Sequence, residues 1–215
     1  VAVYEQREEA GKIERVLVNI FSPGTYFSNE SNKMSNNTAC IWCQKTNKSI
    51  IIGASNIDIF TGKSVIFEYE EELIKHNTIF DELELFISIH NPSEIILIYD
   101  LNDKKYIDSL ISFASIQTNC IHMIDLNSEH GDEEDNNVLK AKNCSRQIYQ
   151  KETINYYFKD KSIDDIYLYE VACQSFCYLL DFINNHNPNL IQKINIPNFE
   201  NSNNRTVLGN HSLRQ

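Results

Sequence analysis

The sequence predicts an α/β domain whose core is a mixed five-stranded sheet with helices on both faces. Three strand-like runs, at 38–44, 49–58 and 63–69, follow one another with short connections. Downstream, segments with helical spacing of apolar residues alternate with two short apolar runs, at 94–99 and 120–125. Strands in succession, followed by alternating helices and strands, are typical of a sheet that combines antiparallel and parallel pairs.

The first three strands of this sheet are predicted to be antiparallel. Their connections, near Asn47 and Gly62, are short enough for hairpins. A further strand is predicted upstream at 13–21, and the turn S-P-G-T at 22–25 ends it. Residues 26–37 are rich in Ser and Asn and lack periodicity, which indicates a linker.

The second half of the domain alternates helices with buried strands. Apolar residues after Asn77 keep helical spacing, and Pro92 separates this helix from E-I-I-L-I-Y at 94–99, a run typical of a buried parallel strand. Further helices are predicted at 103–115, 145–157 and 163–186. The order of all these elements is that of a ribonuclease H-like domain, with two right-handed β-α-β crossovers in its parallel half.

Composition limits the classes of protein to which the chain can belong. Its 215 residues carry a formal net charge of −11, and a predicted acidic loop at 129–135 holds five of the negative charges. Nucleic-acid-binding modules gain most of their affinity from clustered Lys and Arg, so a stand-alone DNA-binding role is disfavoured. No apolar run approaches the roughly 18 residues of a membrane span, and no membrane partner is expected.

The six cysteines follow the pattern of a reducing, intracellular compartment. Cys40 and Cys43 form a C-x-x-C motif, which in other settings binds zinc or acts as a redox pair. Here the motif lies in a predicted strand, where positions three apart point to opposite faces of the sheet. We therefore expect neither a metal nor a cofactor in this chain.

Carboxylates decide whether a ribonuclease H-like domain is a nuclease, because such enzymes hold two metal ions with clustered acids. One acid normally comes from the first strand, one from the first helix and one from the end of the fourth strand. The chain offers Glu82 or Glu84 on the helix and Asp100 after the strand, but the run 38–44 contains no acid. We predict no catalytic residue, and an active nuclease or resolvase is the alternative.

Thr61-Gly62-Lys63-Ser64 resembles the end of a P-loop. The complete motif needs a glycine five residues before Gly62, where Ile57 stands, and a helix after it, where apolar strand residues follow. The segment is therefore predicted to be a hairpin turn that binds no ATP.

Three stretches together resemble the MutS family of DNA mismatch-repair proteins. V-A-V-Y-E-Q at 1–6 and the segment 12–25, which contains E-R-V and ends on S-P-G-T, are similar to the end of the mismatch-recognition domain. A-C-I-W at 39–42 and D-I-F-T-G at 58–62 resemble the first strand and an early turn of the connector domain. T-V-L-G-N-H-S-L-R-Q at 206–215 resembles the start of the lever domain.

The resemblance implies that the chain is a section of a longer protein. The implied parts are the tail of the mismatch-recognition domain (1–25), a linker (26–37), the connector domain (38–187) and the start of the lever or core domain (188–215). In this family the connector is ribonuclease H-like without a metal site, and it links mismatch recognition to the ATPase core. The parent protein would be a dimeric, DNA-dependent ATPase that uses ATP and Mg²⁺ and contacts mismatched DNA through other domains.

The resemblance also implies a partner surface. In bacterial relatives the contact with MutL maps near an A-R-Q-Q-L segment, and the matching stretch here is C-S-R-Q-I at 144–148. Arg146 and Gln147 match this pattern, whereas Ile148 replaces the second glutamine. Arg146 and Gln147 are therefore the candidate contacts to a MutL-like protein. A free-standing adaptor unrelated to repair is a further alternative.

Overall fold

The computed structural model describes residues 1–9, 12–26, 35–72, 77–101, 104–116, 118, 120–128, 136–159 and 163–200. The acidic loop predicted at 129–135, the lever-like segment at 206–215 and most of the linker predicted at 26–37 lie outside these residues. The described part of the chain forms an N-terminal hairpin followed by a six-stranded sheet with helices on both faces.

The N-terminal hairpin pairs β1 (Ala2–Glu9) with β2 (Lys12–Ile20) in antiparallel register. β2 confirms the strand predicted at 13–21, displaced by one residue. β1 was not predicted, because its charged and polar run Y-E-Q-R-E-E lacks the alternation that marks a half-buried strand. Nearly all described side chains of the hairpin are exposed, so its backbone ladder, more than burial, holds the two strands together.

Six strands form the central sheet: β3 (Asn37–Lys45), β4 (Ser49–Asp58), β5 (Ser64–Glu72), β6 (Glu94–Tyr99), β7 (Ile121–Asp125) and β8 (Asn198–Phe199). Their order is β7-β6-β3-β4-β5-β8. β4 is antiparallel to both of its neighbours, and the other adjacent pairs are parallel. The five predicted strands and their ribonuclease H-like order are confirmed. The two-residue β8 adds a sixth strand, which is too short to leave a periodic signal.

Two helices, α1 (Asp81–His90) and α2 (Lys104–Phe113), pack on one face of the sheet. Both were predicted. A 3-10 turn at Asn77–Phe80 precedes α1, so the α-helix begins at Asp81 and not directly after Asn77 as predicted.

The opposite face is covered mainly by α3 (Asn136–Cys144), α4 (Gln147–Tyr157) and α5 (Glu170–His186), and α6 (Pro188–Ile191) follows directly. The single helix predicted at 163–186 was wrong at its start, because a 3-10 turn at Asp164–Leu168 is separated from α5 by Tyr169, whose φ of −114° and ψ of 81° are not helical. α3 was missed because its polar sequence shows little apolar spacing. None of the described helices is long and apolar enough to cross a membrane.

Alternation along β3 divides the core into two layers. Ala39, Ile41 and Cys43 pack toward α1 and α2, whereas Cys40 and Trp42 pack toward α5. Cys40 and Cys43 therefore lie on opposite faces, as predicted. Both thiols are buried, and burial raises the pKa of each well above its ordinary value.

α5 approaches the sheet closely because β4 carries Gly53 beneath its first turn. A Cβ atom at Gly53 would lie 2.3 Å from the carbonyl carbon of Val171 and 2.4 Å from the backbone nitrogen of Ala172. Tyr169, the N-cap residue of α5, makes no side-chain capping bond. Glu68 of β5 caps the helix instead, because its Oε2 accepts a 2.8 Å hydrogen bond from the Ala172 nitrogen.

Candidate functional site

The segments that precede and follow the sheet both contact the same edge of it. Strands β3, β5, β6 and β7 share one direction, so their N-terminal ends lie together. We define this junction edge by Thr38, Ser64 and Glu94, near the starts of β3, β5 and β6. The incoming turn (residues 22–25) and the outgoing segment (residues 187–200) both reach it.

Glu94 fastens the incoming turn to the junction edge. Its side chain is fully buried, and its Oε2 accepts hydrogen bonds from Ser22 Oγ at 2.6 Å and from the Gly24 nitrogen at 2.8 Å. Thr38, its neighbour on β3, donates from Oγ1 to the Gly24 carbonyl at 2.8 Å. Since a buried carboxylate is costly without such donors, these bonds fix the turn against two strands.

No side chain fits at Gly24. A Cβ atom there would lie 2.3 Å from Thr38 Oγ1 and 2.7 Å from both Cβ and Oε2 of Glu94. The atoms that it would meet are those that bind the turn, so they cannot withdraw without breaking the bonds. The glycine of S-P-G-T is therefore required by the close approach of the backbone to β3 and β6.

Asn36 braces the incoming turn from the start of β3. Its Nδ2 donates to the carbonyls of Pro23 at 2.9 Å and Tyr26 at 3.2 Å. Its backbone nitrogen donates to Asp58 Oδ1 at 3.0 Å, and its Oδ1 accepts from Ser93 Oγ at 2.5 Å. One buried residue, through its side chain and its backbone nitrogen, thus connects the incoming turn with the end of β4 and the start of β6.

The D-I-F-T-G stretch at 58–62 is the turn between β4 and β5. Asp58 Oδ2 accepts from Thr61 Oγ1 at 2.6 Å, and Gly62 adopts a φ of +73° that favours glycine. Ser64 then begins a strand rather than a helix. This confirms the hairpin interpretation of the P-loop-like tetrapeptide.

The outgoing segment joins the junction edge at β5. The Asn195 nitrogen donates to the Gly62 carbonyl at 2.8 Å, and Ser64 Oγ donates to the Asn195 carbonyl at 2.6 Å. After β8 has paired with β5, Glu200 Oε1 lies 3.1 Å from Nε2 of His90 at the end of α1. The sheet therefore holds the segments before and after it at a common edge.

The second carboxylate oxygen of Glu94 faces β7. Its Oε1 lies 2.7 Å from Nε2 of His122 and 3.4 Å from Sγ of Cys120. Burial by itself would raise the pKa of Glu94, but the hydrogen bonds from His122, Ser22, Gly24 and Cys120 outweigh burial and lower it. Burial and the adjacent Glu94 carboxylate raise the pKa of the Cys120 thiol to about 11. Glu94 is thus ionised at neutral pH, and the Cys120 thiol keeps its proton.

The acids that a nuclease would need do not converge. Asp100 accepts a 2.8 Å hydrogen bond from the Lys45 nitrogen, and burial raises its pKa. Glu84 is buried on α1 and accepts from Ser88 Oγ at 3.0 Å. Within the described residues, the group of three or more His, Cys, Asp and Glu side chains close enough to share a metal ion is the one around Glu94.

The strand that would carry the central nuclease acid is apolar on the relevant face. Ala39, Ile41 and Cys43 are the β3 residues that face the layer of α1, the helix that carries Glu82. All three are fully buried. β3 therefore offers no carboxylate on the face where a metal-dependent nuclease would need one.

Arg146 and Gln147 lie at the start of α4, and both are exposed. The backbone of Arg146 is extended, and its side chain makes no capping bond. Ile148, beside them, is 75% exposed. Buried Gln150 secures the helix instead, donating from Nε2 to the Cys144 carbonyl at 2.8 Å. The predicted partner residues are therefore on the surface and outside the packing of α4.

The cluster around Glu94 was not predicted from the sequence. Cys120 and His122 are two residues apart at a strand, and this spacing, which places side chains on one face, was the signal that could have found them. Glu94 was interpreted only as the first residue of a buried strand. Its neighbours become apparent once β6 is paired with β7.

Comparison with known proteins finds a relative that matches along the whole chain. It is described as a DNA mismatch repair MutS homologue of Acanthamoeba polyphaga mimivirus, 24% identical over 236 residues. The match covers 100% of this chain and 21% of the viral protein, so the chain spans about a fifth of the length of that curated relative. No protein-family model matches the sequence.

Among solved structures, the fowlpox virus resolvase, determined in complex with Holliday junction DNA, matches 67% of this chain and 97% of its own, with 15% identity and a TM-score of 0.38. The fold assignment rests on the strand order of the chain itself. The sequence similarity along the full chain supports a MutS-like relationship.

Proposed function

We propose that this chain is the connector module of a MutS-like DNA mismatch repair protein, joining a mismatch-recognition domain to the lever and ATPase core. Hydrogen bonds from both flanking segments to one junction edge support this role most directly. Glu94 and Thr38 hold the incoming turn, and Ser64 holds the outgoing segment. A rigid sheet bonded in this way transmits the displacement of one neighbour to the other without a chemical step.

The similarity to the mimivirus MutS homologue supports the same role, because it extends over the whole chain. The hairpin before residue 26 corresponds to the proposed tail of the recognition domain, and the sheet begins at Asn37. Leu190 and Ile194 belong to the core under α5, and β8 pairs with β5. We therefore move the C-terminal boundary of the proposed connector from residue 187 to about residue 200, and we place the start of the lever beyond it.

The coding sequence on either side of this chain provides the first test of the connector role. A MutS-like parent requires a Phe-x-Glu mismatch wedge upstream and a G-x-x-x-x-G-K-(S/T) nucleotide-binding motif downstream. Finding both supports the proposal, and with it ATP and Mg²⁺ as ligands of the parent, dimerisation, and contact with mismatched DNA through other domains. An open reading frame that ends near residue 215 without the second motif would contradict it.

We also propose that the chain itself is not an enzyme. Two observations support this view. The α1-facing side of β3 is apolar, and Asp100 accepts a hydrogen bond from the backbone of Lys45, so neither place provides the clustered carboxylates that two metal ions require. The free thiols of all six cysteines support a reducing, intracellular location. Exposed Arg146 and Gln147 are proposed to contact a MutL-like partner.

A ribonuclease H-like nuclease or resolvase is the second candidate, and the position of Asp100 after β6 favours it. The test is cleavage of a four-way junction and of an RNA–DNA hybrid by the purified chain in Mg²⁺ or Mn²⁺. Our proposal predicts no cleavage. Metal-dependent cleavage that disappears in Asp100→Asn would establish the nuclease instead.

A further inference from the structure

Three atoms of metal-ligand type meet at the junction edge, on the face of the sheet toward α5. Glu94 Oε1 lies 2.7 Å from His122 Nε2 and 3.4 Å from Cys120 Sγ, and the sulfur lies 3.6 Å from the same nitrogen. In a tetrahedral zinc site, with bonds of about 2.3 Å to sulfur and about 2.0 Å to nitrogen or oxygen, ligand atoms are about 3.3–3.6 Å apart. The two sulfur distances already fit. The third distance, from Glu94 Oε1 to His122 Nε2, must lengthen from 2.7 Å, and a small rotation of the His122 ring, whose side chain is 43% exposed, would allow this.

The charge balance of Glu94 gives a second, independent reason to expect a cation. The side chain is fully buried, yet the ion pairs of the described residues give it one partner, His122, and no Lys or Arg. Hydrogen bonds already stabilise its negative charge, but none of its described donors carries a permanent positive charge. A divalent ion at Oε1 would supply that charge.

The carboxylate is also held in the orientation that a metal ligand needs. Ser22 and Gly24 both donate to Oε2, which leaves Oε1 directed at Cys120 and His122. Ligating carboxylates in proteins are commonly fixed by such outer hydrogen bonds, which also tune the affinity for the metal.

We propose that Glu94, Cys120 and His122 bind one Zn²⁺ ion, with water as the fourth ligand on the exposed side of His122. A thiolate, an imidazole and a single carboxylate suit zinc, whereas Mg²⁺ and Ca²⁺ prefer oxygen ligands alone. Binding releases the thiol proton of Cys120, because the thiolate is the ligand. The ion would join β6 and β7 at the carboxylate that holds the incoming turn. The site rests on these three side chains and not on the connector role, so either proposal can fail alone.

Titration of the reduced 215-residue chain with Co²⁺ is the direct test. We expect thiolate-to-cobalt charge transfer in the near ultraviolet and the intense visible bands of four-coordinate cobalt, saturating at one ion per chain. Zn²⁺ should displace the cobalt. Absence of the charge-transfer band would overturn the proposal, and the three side chains would then be a hydrogen-bonded cluster only.

Variants assign the ligands. Cys120→Ser should abolish the charge-transfer band, and His122→Gln should weaken zinc binding at least about 100-fold. Ser22→Ala, which removes a hydrogen bond behind the carboxylate, should weaken it about tenfold. His186→Gln is the matched control, because His186 lines a cavity with His122 but lies outside the ligand group. A band that persists in Cys120→Ser, or an equal loss in His186→Gln, would refute the assignment.

Alkylation of the native chain tests the site without relying on a variant that must fold. Cys120 is partly exposed, whereas the other five cysteines are buried, so a maleimide should modify Cys120 selectively. Stoichiometric Zn²⁺ should slow this modification at least about tenfold, and Mg²⁺ should not. An alkylation rate at Cys120 that Zn²⁺ leaves unchanged would overturn the proposal.

Discussion

Replacing Gly24 with alanine is expected to detach the incoming turn from the junction edge while the sheet stays folded. The new Cβ would lie 2.3 Å from Thr38 Oγ1 and 2.7 Å from Glu94 Oε2, so the turn must move away. The movement breaks two hydrogen bonds to the Glu94 carboxylate and one from Thr38. Bonds to a charged group contribute about 1.5–3 kcal/mol each and a neutral bond about 1 kcal/mol, which limits the contribution of these three bonds to about 4–7 kcal/mol.

The loss should be smaller than this limit, because detachment lets water hydrate the groups that the turn leaves. Glu94 also keeps His122 and Cys120 as partners of its other oxygen. We therefore expect the docked state of the turn to lose about 2–4 kcal/mol. Global unfolding of the sheet should change by less than about 1 kcal/mol, because the turn detaches before the core unfolds.

Hydrogen exchange followed by mass spectrometry measures both effects. The expected loss corresponds to exchange about 30 to 1,000 times faster at residues 22–26, with the melting temperature nearly unchanged. Gly53→Ala is the matched control, because its Cβ would meet the backbone of α5 at 2.3 Å and should lower the stability of the whole domain. A Gly24→Ala variant that exchanged as slowly as the wild type, or melted as early as Gly53→Ala, would refute local docking of the turn.

Three further outcomes are expected. Burial, aided by nearby acids, raises the pKa of Glu68 despite its backbone hydrogen bonds. The protonated side chain therefore contributes its full stability below about pH 4, and this contribution is lost as the pH rises through the folded-state pKa. As the pH rises from about 4 to about 7, Glu68→Gln should therefore gain stability relative to the wild type, by less than about 1 kcal/mol because the side chain is partly exposed. Chemical denaturation at both pH values measures the difference in unfolding free energy between the two proteins. A difference that does not change with pH would contradict the prediction. Arg146→Ala combined with Gln147→Ala should leave the melting temperature unchanged while weakening binding to a MutL-like partner, whereas Gln150→Ala should cost about 1–2 kcal/mol of stability, since it removes a buried hydrogen bond; binding that is unaffected by the double variant would place the partner surface elsewhere. Isothermal calorimetry should detect no saturable ATP binding to this chain, because the P-loop-like residues form a strand-to-strand turn.

The sheet could be predicted because its strands leave clear patterns. E-I-I-L-I-Y marks a strand buried on both faces, and the alternation around Cys40 and Cys43 places one thiol on each face. α3 escaped detection because only Val138, Ala141 and Cys144 of its nine residues are buried. β8 escaped because a two-residue strand depends on pairing with Val65 and Ile66 rather than on its own sequence.

The junction edge could be anticipated only in part. S-P-G-T was recognised as a turn and through a family resemblance, but nothing local shows that its glycine approaches Glu94, which lies 70 residues further along the chain. The cluster with Cys120 and His122 likewise depends on two strands being neighbours. Contacts between distant segments are decided by the sheet order, so the residue types could be seen in advance and their convergence could not.

The role proposed for this chain is to couple its neighbours mechanically. The most direct measurement is ATP hydrolysis by the full-length protein that contains it, with and without a mismatched duplex, in the wild type and in Gly24→Ala. Energetic coupling between protein sites typically changes a response by about 5–150-fold. If the chain couples its neighbours in this way, Gly24→Ala keeps the basal rate and loses at least about fivefold of the stimulation by mismatched DNA. Stimulation equal to that of the wild type, in a variant whose turn exchanges faster, would contradict the claim.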